Sequence, residues 1–121
     1  MKNAIEIANR FYELCNTSQG EGFAQLVHKQ IEFHGPVMRL SGAEQYIAAV
    51  GPLLKFHKGM RMLKQFEDGD EVCSIYEMTL GTPAGGTLTL EFADWIRVAD
   101  GQIVGQKLYY DPREFMKAFG M

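Results

Sequence analysis

The first hydrophobic positions of the chain recur with the period of an α-helix. The members of this apolar face are Ala4, Ile7, Ala8, Phe11, Leu14 and Cys15. They predict a helix over residues 3–16, which the polar segment at residues 16–20 ends. A short second helix is predicted to follow, with Phe23, Leu26 and Val27 facing inward.

The middle of the chain predicts a short strand and then a third helix. Residues 30–34 have the composition of a strand, and Gly35-Pro36 ends it because proline has no amide to donate to a ladder. Ser41 and Glu44 have the spacing of a capping box, in which each side chain bonds the backbone near the other. Gly51-Pro52 is expected to kink or restart the helix that this box opens.

The second half of the chain has the alternation of β-strands. Strands are predicted at residues 60–67, 72–80, 87–98 and 103–110. Gly69 and the pair Asp100-Gly101 mark tight hairpin turns, because they tolerate a positive φ. Asp111 and Pro112 have the residue types of an N-cap and first turn, and they predict a last short helix.

Helices followed by an antiparallel meander predict an α+β fold in a single domain over residues 1–121. A curved antiparallel sheet with the N-terminal helices on its concave side encloses a hollow. The composition fits such a hollow, since the chain has eight Phe, five Tyr, one Trp and seven Met. These side chains fill a core or line an adaptable apolar pocket.

The charge pattern and the cysteine pattern exclude several classes of function. The net charge is −3 without any cationic run, so a nucleic-acid partner is not expected. No apolar segment approaches the ~18 residues of a membrane span, and the start of the chain does not resemble a signal peptide. We therefore expect a cytoplasmic protein in which Cys15 and Cys73 stay reduced.

Asp94 is the first candidate for chemistry. Strand alternation places it on one face with Phe92, Ile96 and Val98, so its carboxyl is expected to be buried among apolar side chains. Burial disfavours the ionised carboxylate and raises the pKa, which would suit Asp94 to donate a hydrogen bond or act as a general acid. The alternative is a structural Asp that is bonded to a backbone amide or an arginine.

His34 is the second candidate, because histidine exchanges protons near ~pH 6.5. It ends a predicted strand next to Gly35-Pro36, where a sheet edge can open onto a cavity. The alternative is a strand-end histidine that faces solvent or bonds within the core. His28 and His57 lie near predicted helix ends and are interpreted as structural.

Other chemistries have little support in the sequence. Glu32 and His34 share a strand face but have no third partner, so no metal site is expected. No nucleophile elbow and no nucleotide-binding motif occurs, so no cofactor is expected. Tyr76 and Tyr110 lie on inward faces of their predicted strands and are the preferred pocket tyrosines.

The chain resembles the NTF2-like superfamily, with its cystatin-like fold, and especially the SnoaL-like branch of that superfamily. The segments that carry the resemblance are residues 11–14, Phe33 to Pro36, Ser41 to Glu44, residues 94–103 and Tyr109 to Pro112. The resemblance implies a cone-shaped α+β fold, a pocket in its mouth and a homodimer formed through the outer face of the sheet. Relatives include ketosteroid isomerases, epoxide hydrolases and polyketide cyclases, so the fold alone does not define a reaction.

The catalytic positions of the ketosteroid isomerases are only partly kept. Asp94 matches the strand Asp that donates to the oxyanion in those enzymes. The isomerase tyrosine falls on Phe11, with Tyr12 beside it, and the isomerase base falls on Gly35, with His34 beside it. Steroid isomerisation by the same scheme is therefore not expected.

These observations lead to two hypotheses. The first is a SnoaL-like protein that binds a small apolar or aromatic metabolite and performs isomerase- or cyclase-like proton transfer on a carbonyl or ring. Asp94 and His34 would then be the catalytic residues. The expected substrate-binding residues are Phe11, Tyr12, Phe56, Tyr76, Phe92 and Tyr110. The second hypothesis is a non-catalytic ligand-binding or dimeric assembly module.

Overall fold

The computed structural model describes residues 3–17 and 22–121. The helices are α1 (Ala4–Thr17), α2 (Ala43–Leu54) and α3 (Arg113–Ala118), with a 3-10 turn at Phe23–Leu26. The strands are β1 (Val27–His34), β2 (Arg39–Ser41), β3 (His57–Asp68), β4 (Glu71–Gly81), β5 (Thr87–Ala99) and β6 (Gln102–Tyr109). The α+β class predicted from the sequence is confirmed, and the structure adds one strand, β2, that the sequence did not predict.

All six strands form one curved, unclosed sheet in the order β2-β1-β6-β5-β4-β3. The four strands from β3 to β6 pair antiparallel in succession, as the meander prediction requires. The sheet is not antiparallel throughout, because β1 pairs parallel with β6. Helix α2 connects β2 at one edge of the sheet with β3 at the other edge. The chain then returns through β4 and β5 to β6, which lies beside β1 and runs parallel to it.

The helices cover one face of the sheet. Helix α1 packs on β3 to β6, and α2 packs on β1 and β2. The inward residues of β5 are buried at alternate positions, as the sequence pattern predicts: Leu90, Phe92, Asp94, Ile96 and Val98. The core therefore lies between this inner face and the helices.

Local sequence explains where most elements end. The β5–β6 hairpin turns at Asp100 and Gly101, with φ values of 55° and 72° that only a few residue types adopt easily. Strand β1 ends at His34, directly before Gly35-Pro36, as predicted. Part of the predicted break at residues 16–20 lies outside the described residues, since residues 18–20 belong to the gap.

Three local predictions require correction. Ser41 does not cap α2, because it lies in β2 and its hydroxyl donates to Glu32. The residue at the start of α2 is Gly42, whose φ of 87° turns the chain without a side-chain cap. A reciprocal cap occurs instead at the start of α1, where Asn3 and Glu6 each accept the other's backbone amide.

The other two corrections concern proline. Gly51-Pro52 does not restart α2, which continues to Leu54. Pro52 lacks the amide that would donate to the Ala48 carbonyl, but only two helical residues follow it. Helix α3 begins at Arg113, later than the predicted first turn at Pro112. Asp111 nevertheless accepts a hydrogen bond from the Arg113 amide at 3.1 Å, so its capping role is kept.

Candidate functional site

A cavity of about 130 Å³ lies between the helices and the inner face of the sheet. Its walls come from α1, α2, α3 and the five strands β1, β3, β4, β5 and β6. Nearly all of the lining side chains are apolar or aromatic. Leu54, Met60, Met78 and Leu108 are among the aliphatic lining residues. Because the helices contribute one wall and the sheet the other, the curvature of the sheet determines how much space remains.

Aromatic rings run around this cavity in an almost continuous series. Tyr12 and Tyr76 meet edge to face with ring centroids 5.3 Å apart, and Tyr76 stacks on Phe92 at 5.4 Å. Phe92 contacts Tyr110 at 4.8 Å, and Tyr110 meets Phe115 of α3 at 6.0 Å. Each such pair adds about 0.5–1.5 kcal/mol beyond the burial of its area. These contacts pack the aromatic rings against one another along the cavity wall.

Asp94 lies behind this wall and is fully buried, with an exposed fraction of 0%. Its carboxylate oxygen Oδ2 accepts hydrogen bonds from the Tyr12 hydroxyl at 2.9 Å and the Tyr76 hydroxyl at 3.1 Å. The Gln106 amide nitrogen donates to both oxygens, at 3.0 Å and 3.1 Å. Asp94 does not line the cavity itself, whereas Tyr12, Tyr76 and Gln106 do. Its influence on a ligand therefore passes through these three side chains.

A third buried tyrosine extends this group of hydrogen-bonded side chains. The Tyr46 hydroxyl donates to the Gln106 carbonyl oxygen at 2.6 Å, and Tyr46 is 1% exposed. Gln106 is thus bonded at both ends, because its oxygen accepts from Tyr46 and its nitrogen donates to Asp94. We call Asp94, Tyr12, Tyr76, Gln106 and Tyr46 the polar cluster.

The electrostatics of the polar cluster follow from its burial. Desolvation raises the pKa of Asp94 to about 6, although the hydrogen bonds from Gln106, Tyr12 and Tyr76 act in the opposite direction. Among the described residues no cation pairs with Asp94. Desolvation, followed by the nearby Asp94 charge, raises the pKa of Tyr12 and of Tyr76 well above the usual value. Both phenols therefore stay protonated and act as donors.

His57 also lines the cavity, and sequence reasoning missed it because the strand predicted at residues 60–67, which is β3 in the structure, begins three residues too late. The side chain is 6% exposed, and its Nε2 atom lies 2.8 Å from the Asn16 side-chain oxygen. Its Nδ1 atom is buried without a hydrogen-bond partner among the described residues. Desolvation lowers the pKa of His57, so the imidazole is neutral at neutral pH.

The remaining reactive side chains give no support for a nucleophile or a metal. Burial, followed by the Asp94 charge, raises the pKa of Cys15 in the cavity wall to about 12, so its thiol stays protonated. Across residues 3–17 and 22–121, no three His, Cys, Asp or Glu side chains are arranged to hold a metal ion. In the same residues, no helix has the length and apolar character of a membrane span.

The structure does not bring His34 and Asp94 together. Phe33 points into the cavity wall, and the neighbouring His34 faces the opposite side of the sheet because adjacent strand residues alternate. The register of β1 shifts between Val27 and Glu32, too early to turn His34 inward. His34 instead lines an open concavity of about 510 Å³ at the ends of β1 and β6, together with Arg39 and Lys107.

Five of the six predicted substrate-binding residues line the inner cavity. They are Phe11, Tyr12, Tyr76, Phe92 and Tyr110. Phe56 does not line it, because its ring lies in the turn after α2 and packs edge to face on Phe119 at 5.1 Å. Gln106 and Tyr46 also line the cavity, and neither was predicted as a site residue. The alternation of β6 already placed Gln106 on the same face as Tyr110.

Gly35 lies in the cavity wall, at the position where the isomerase resemblance would place a carboxylate base. A Cβ atom at this residue would lie 3.0 Å from the Phe33 ring. That distance leaves no room for a larger side chain unless the ring moves. The wall is therefore built for glycine and Phe33, not for a base at this position.

The comparisons with known proteins agree with this architecture. The SnoaL-like domain family matches residues 8–106. An NTF2-like protein of Cytophaga hutchinsonii superposes with a TM-score of 0.80 and 22% identity, over 96% of each chain. A protein of Jannaschia described as a SnoaL-like polyketide cyclase gives 0.79 and 18%, over 96% of this chain and 90% of that one.

A steroid delta-isomerase of Pseudomonas aeruginosa gives a TM-score of 0.75 and 21% identity, over 99% of this chain and 88% of the isomerase. No curated protein sequence matches the chain significantly. Since identities of this size are shared by proteins with different activities, these structures establish the fold and leave the chemistry to the residues of the site.

Proposed function

The chain belongs to the SnoaL-like domain family, and we propose that it binds a small, largely apolar ring metabolite in the cavity between its helices and its sheet. The observation that carries this proposal is the lining, which is apolar and aromatic except for His57 and the members of the polar cluster other than Asp94. Binding sites for small molecules commonly combine apolar walls with a few placed polar groups.

The size of the cavity limits the ligand. Its volume is about 130 Å³, and an engineered protein cavity of about 150 Å³ holds one benzene molecule. A single six-membered ring therefore fits without rearrangement, whereas a fused multi-ring skeleton does not. Tyr12, Tyr76 and Gln106 supply polar atoms at one side, so a ring with one oxygen substituent complements the site best.

Filling the cavity tests this proposal. Met78→Trp places an indole in the cavity wall and is expected to weaken binding of toluene or phenol at least about tenfold, since the ring occupies the ligand's space. The matched control is Met62→Trp, which adds the same side chain to β3 at a position that does not line the cavity. Affinities are measured by calorimetry. Equal affinities for the two variants would refute the cavity as the binding site.

Proton transfer on a cyclic ketone is a second candidate function, which the pairing of Tyr12 and Tyr76 with Asp94 favours. A carboxyl whose pKa is raised by burial to about 6 gains and loses its proton near neutral pH. When Asp94 is protonated, it can donate to one phenol oxygen, and that phenol can then donate to a ligand carbonyl. Asp94 is a positioning residue in this scheme.

Exchange of the α-hydrogens of cyclohexanone for deuterium measures this activity without an assigned base. We expect the protein to accelerate exchange, and Tyr12→Phe to reduce the acceleration by about 10²-fold, a typical contribution of general acid catalysis. The control is Tyr109→Phe, which removes a hydroxyl from an exposed tyrosine on the outer face. Exchange no faster than in buffer would reject the candidate and leave the binding proposal in place.

We further propose that the outer face of the sheet forms a homodimer. Phe66, Cys73 and Trp95 are directly paired across β3, β4 and β5, and Phe66 and Trp95 are 54% and 41% exposed. Lys64 stacks over Phe66, and Glu71 accepts from the Trp95 indole. A face that carries both signs of charge around apolar side chains can be self-complementary about a two-fold axis.

Light scattering is expected to give twice the 13.6 kDa mass of the chain. Trp95→Glu is expected to shift the protein to monomers at micromolar concentration, because it buries a charge in the apolar centre of the interface. Met116→Glu is the control, since Met116 is 37% exposed on α3, away from this face. A monomeric parent protein at the same concentration would contradict the dimer.

We also propose that the protein works in the cytoplasm. Its two cysteines support this location, because Cys15 and Cys73 are both free thiols. Free thiols persist where glutathione and thioredoxin keep proteins reduced.

A further inference from the structure

We propose that the open concavity at the ends of β1 and β6 is a second binding site, which holds a small aromatic carboxylate through His34, Arg39 and Lys107. Its basic side chains project from the opposite face of the sheet to the polar cluster, and Gly35, Leu108 and Tyr110 at the strand ends line both spaces. The inference is independent of what occupies the inner cavity.

The backbone register brings the three basic side chains into one row. His34 of β1 is directly opposite Arg39 of the antiparallel strand β2. On its other side, His34 is paired with Lys107 of the parallel strand β6. Directly paired residues on neighbouring strands project to the same face, with their Cβ atoms about 4.5–5.5 Å apart. The three side chains therefore project from one stretch of surface, at whose β5 side the Lys107 ammonium lies over the Trp95 ring, 5.1 Å from its centroid.

Among residues 3–17 and 22–121, no carboxylate forms an ion pair with this row of basic side chains. None of the residues that line the concavity is acidic. In the described part of the chain, neither Arg39 nor Lys107 forms an ion pair with a carboxylate. Glu32, two residues before His34 on the same face, accepts a hydrogen bond from Ser41. In a protein with a net charge of −3, this concavity is a local cationic site.

The rest of the lining fits an aromatic ring. Pro36, Leu108, Tyr109 and Tyr110 belong to the lining, and Tyr109 is 54% exposed. The volume of about 510 Å³ lies within the ~300–1,000 Å³ that ligand pockets usually have. A carboxylate suits the guanidinium of Arg39, whose planar fork can donate to both oxygens of the group. A ring attached to that carboxylate would then lie against the tyrosines.

Benzoate is the probe for this site, in a calorimetric titration of the full chain at pH 7 and low salt. We expect Arg39→Gln and Lys107→Gln each to weaken benzoate binding by about tenfold, because each removes a charged donor. Lys117→Gln is the matched control, since Lys117 is an exposed lysine of α3, outside the concavity and outside the proposed dimer face. Its affinity for benzoate is expected to stay unchanged.

Two further ligands define the class. Benzyl alcohol, which has the ring without the charge, and inorganic phosphate, which has the charge without the ring, are each expected to bind at least about tenfold more weakly than benzoate. Unchanged benzoate affinity in the Arg39→Gln, Lys107→Gln double variant would overturn the proposal, and so would phosphate binding as tightly as benzoate. Toluene affinity in the same double variant reports the inner cavity separately, so failure of one site is distinguishable from failure of the other.

Discussion

Replacing Gln106 by leucine is expected to lower the free energy of unfolding by about 3–5 kcal/mol at pH 7. The substitution conserves size but removes the donor that bridges both oxygens of Asp94 and the acceptor of the Tyr46 hydroxyl. Asp94 and Tyr46 are 0% and 1% exposed, so water does not replace either bond. The cost is therefore the full penalty of leaving buried polar groups unpaired.

The matched control is Gln102→Leu on the same strand. Gln102 is half-buried and donates to the backbone carbonyls of Gln25 and Val27 near the surface, at 3.1 Å and 3.4 Å. Its replacement is expected to cost no more than about 1 kcal/mol, since solvent can satisfy the freed carbonyls. Urea denaturation measures both variants. A Gln106→Leu variant as stable as Gln102→Leu would show that the polar cluster does not contribute to stability as we propose.

The sequence predicted the inward direction of Asp94 correctly, because strand alternation is a local property. The run from Leu90 to Val98 alternates without interruption, and the structure buries each of its inward positions. The hairpin at Asp100-Gly101 is also local and was predicted from its two residues. The inward or outward direction of side chains within one strand, and the position of a tight turn, can therefore be predicted from the sequence.

The partners of Asp94 could not be predicted in the same way. Tyr12 is separated from Asp94 by 82 positions and reaches it only because α1 crosses the inner face of the sheet. The angle and depth of that crossing depend on packing of the whole core, which no short pattern encodes. For the same reason the sequence could not decide between an arginine, a backbone amide and two tyrosines with a glutamine as the partners of Asp94.

The face of His34 depends on where the bulge in β1 lies. A one-residue shift reverses every side chain that follows it, and the observed irregularity lies before Glu32, so Phe33 is inward. His57 was overlooked because β3 begins at this residue and not at Met60. An error of three residues at a strand start was enough to interpret a cavity-lining histidine as part of a helix end.

The side chains that can contact a ligand in the cavity are different from the carboxyl group of Asp94, which does not line it. The groups that a ligand can touch are phenols, an amide, the His57 imidazole and apolar side chains, and the Asp94 carboxyl lies behind them. A ligand that accepts a hydrogen bond from Tyr12 or Tyr76 competes with Asp94 for that donor. Such a ligand favours the protonated carboxyl, so its binding and the protonation of Asp94 are linked.

The contribution of Asp94 to the free energy of unfolding is expected to fall by up to about 3 kcal/mol as pH rises from 4 to 7.5, and Asp94→Asn is expected to abolish it. Burial raises the pKa of Asp94 from 3.8 to about 6 in the folded chain. Between these two values the folded state keeps a proton that the unfolded state has lost, so the stabilisation is complete below the unfolded pKa and is lost as pH rises through about 6.

The difference between the unfolding free energies of the parent and of Asp94→Asn isolates this effect. Burial lowers the pKa of His57, and this histidine therefore contributes stability that is lost as pH falls, in the opposite direction. His57 is present in both proteins, so its contribution cancels in the difference. Glu91→Gln, on the solvent side of the same strand, is the control and is expected to keep the parental pH profile.

Urea denaturation at half-unit steps of pH provides both curves. The parent is expected to lose its advantage over Asp94→Asn most steeply around pH 5, midway between the unfolded pKa of 3.8 and the folded pKa of about 6. Parallel curves for the two proteins would mean that Asp94 ionises as readily in the folded chain as in the unfolded one. The carboxyl would then be solvated and would carry no proton near neutral pH. Asp94 could then not pass a proton to Tyr12 or Tyr76, and the proposed proton transfer would be excluded.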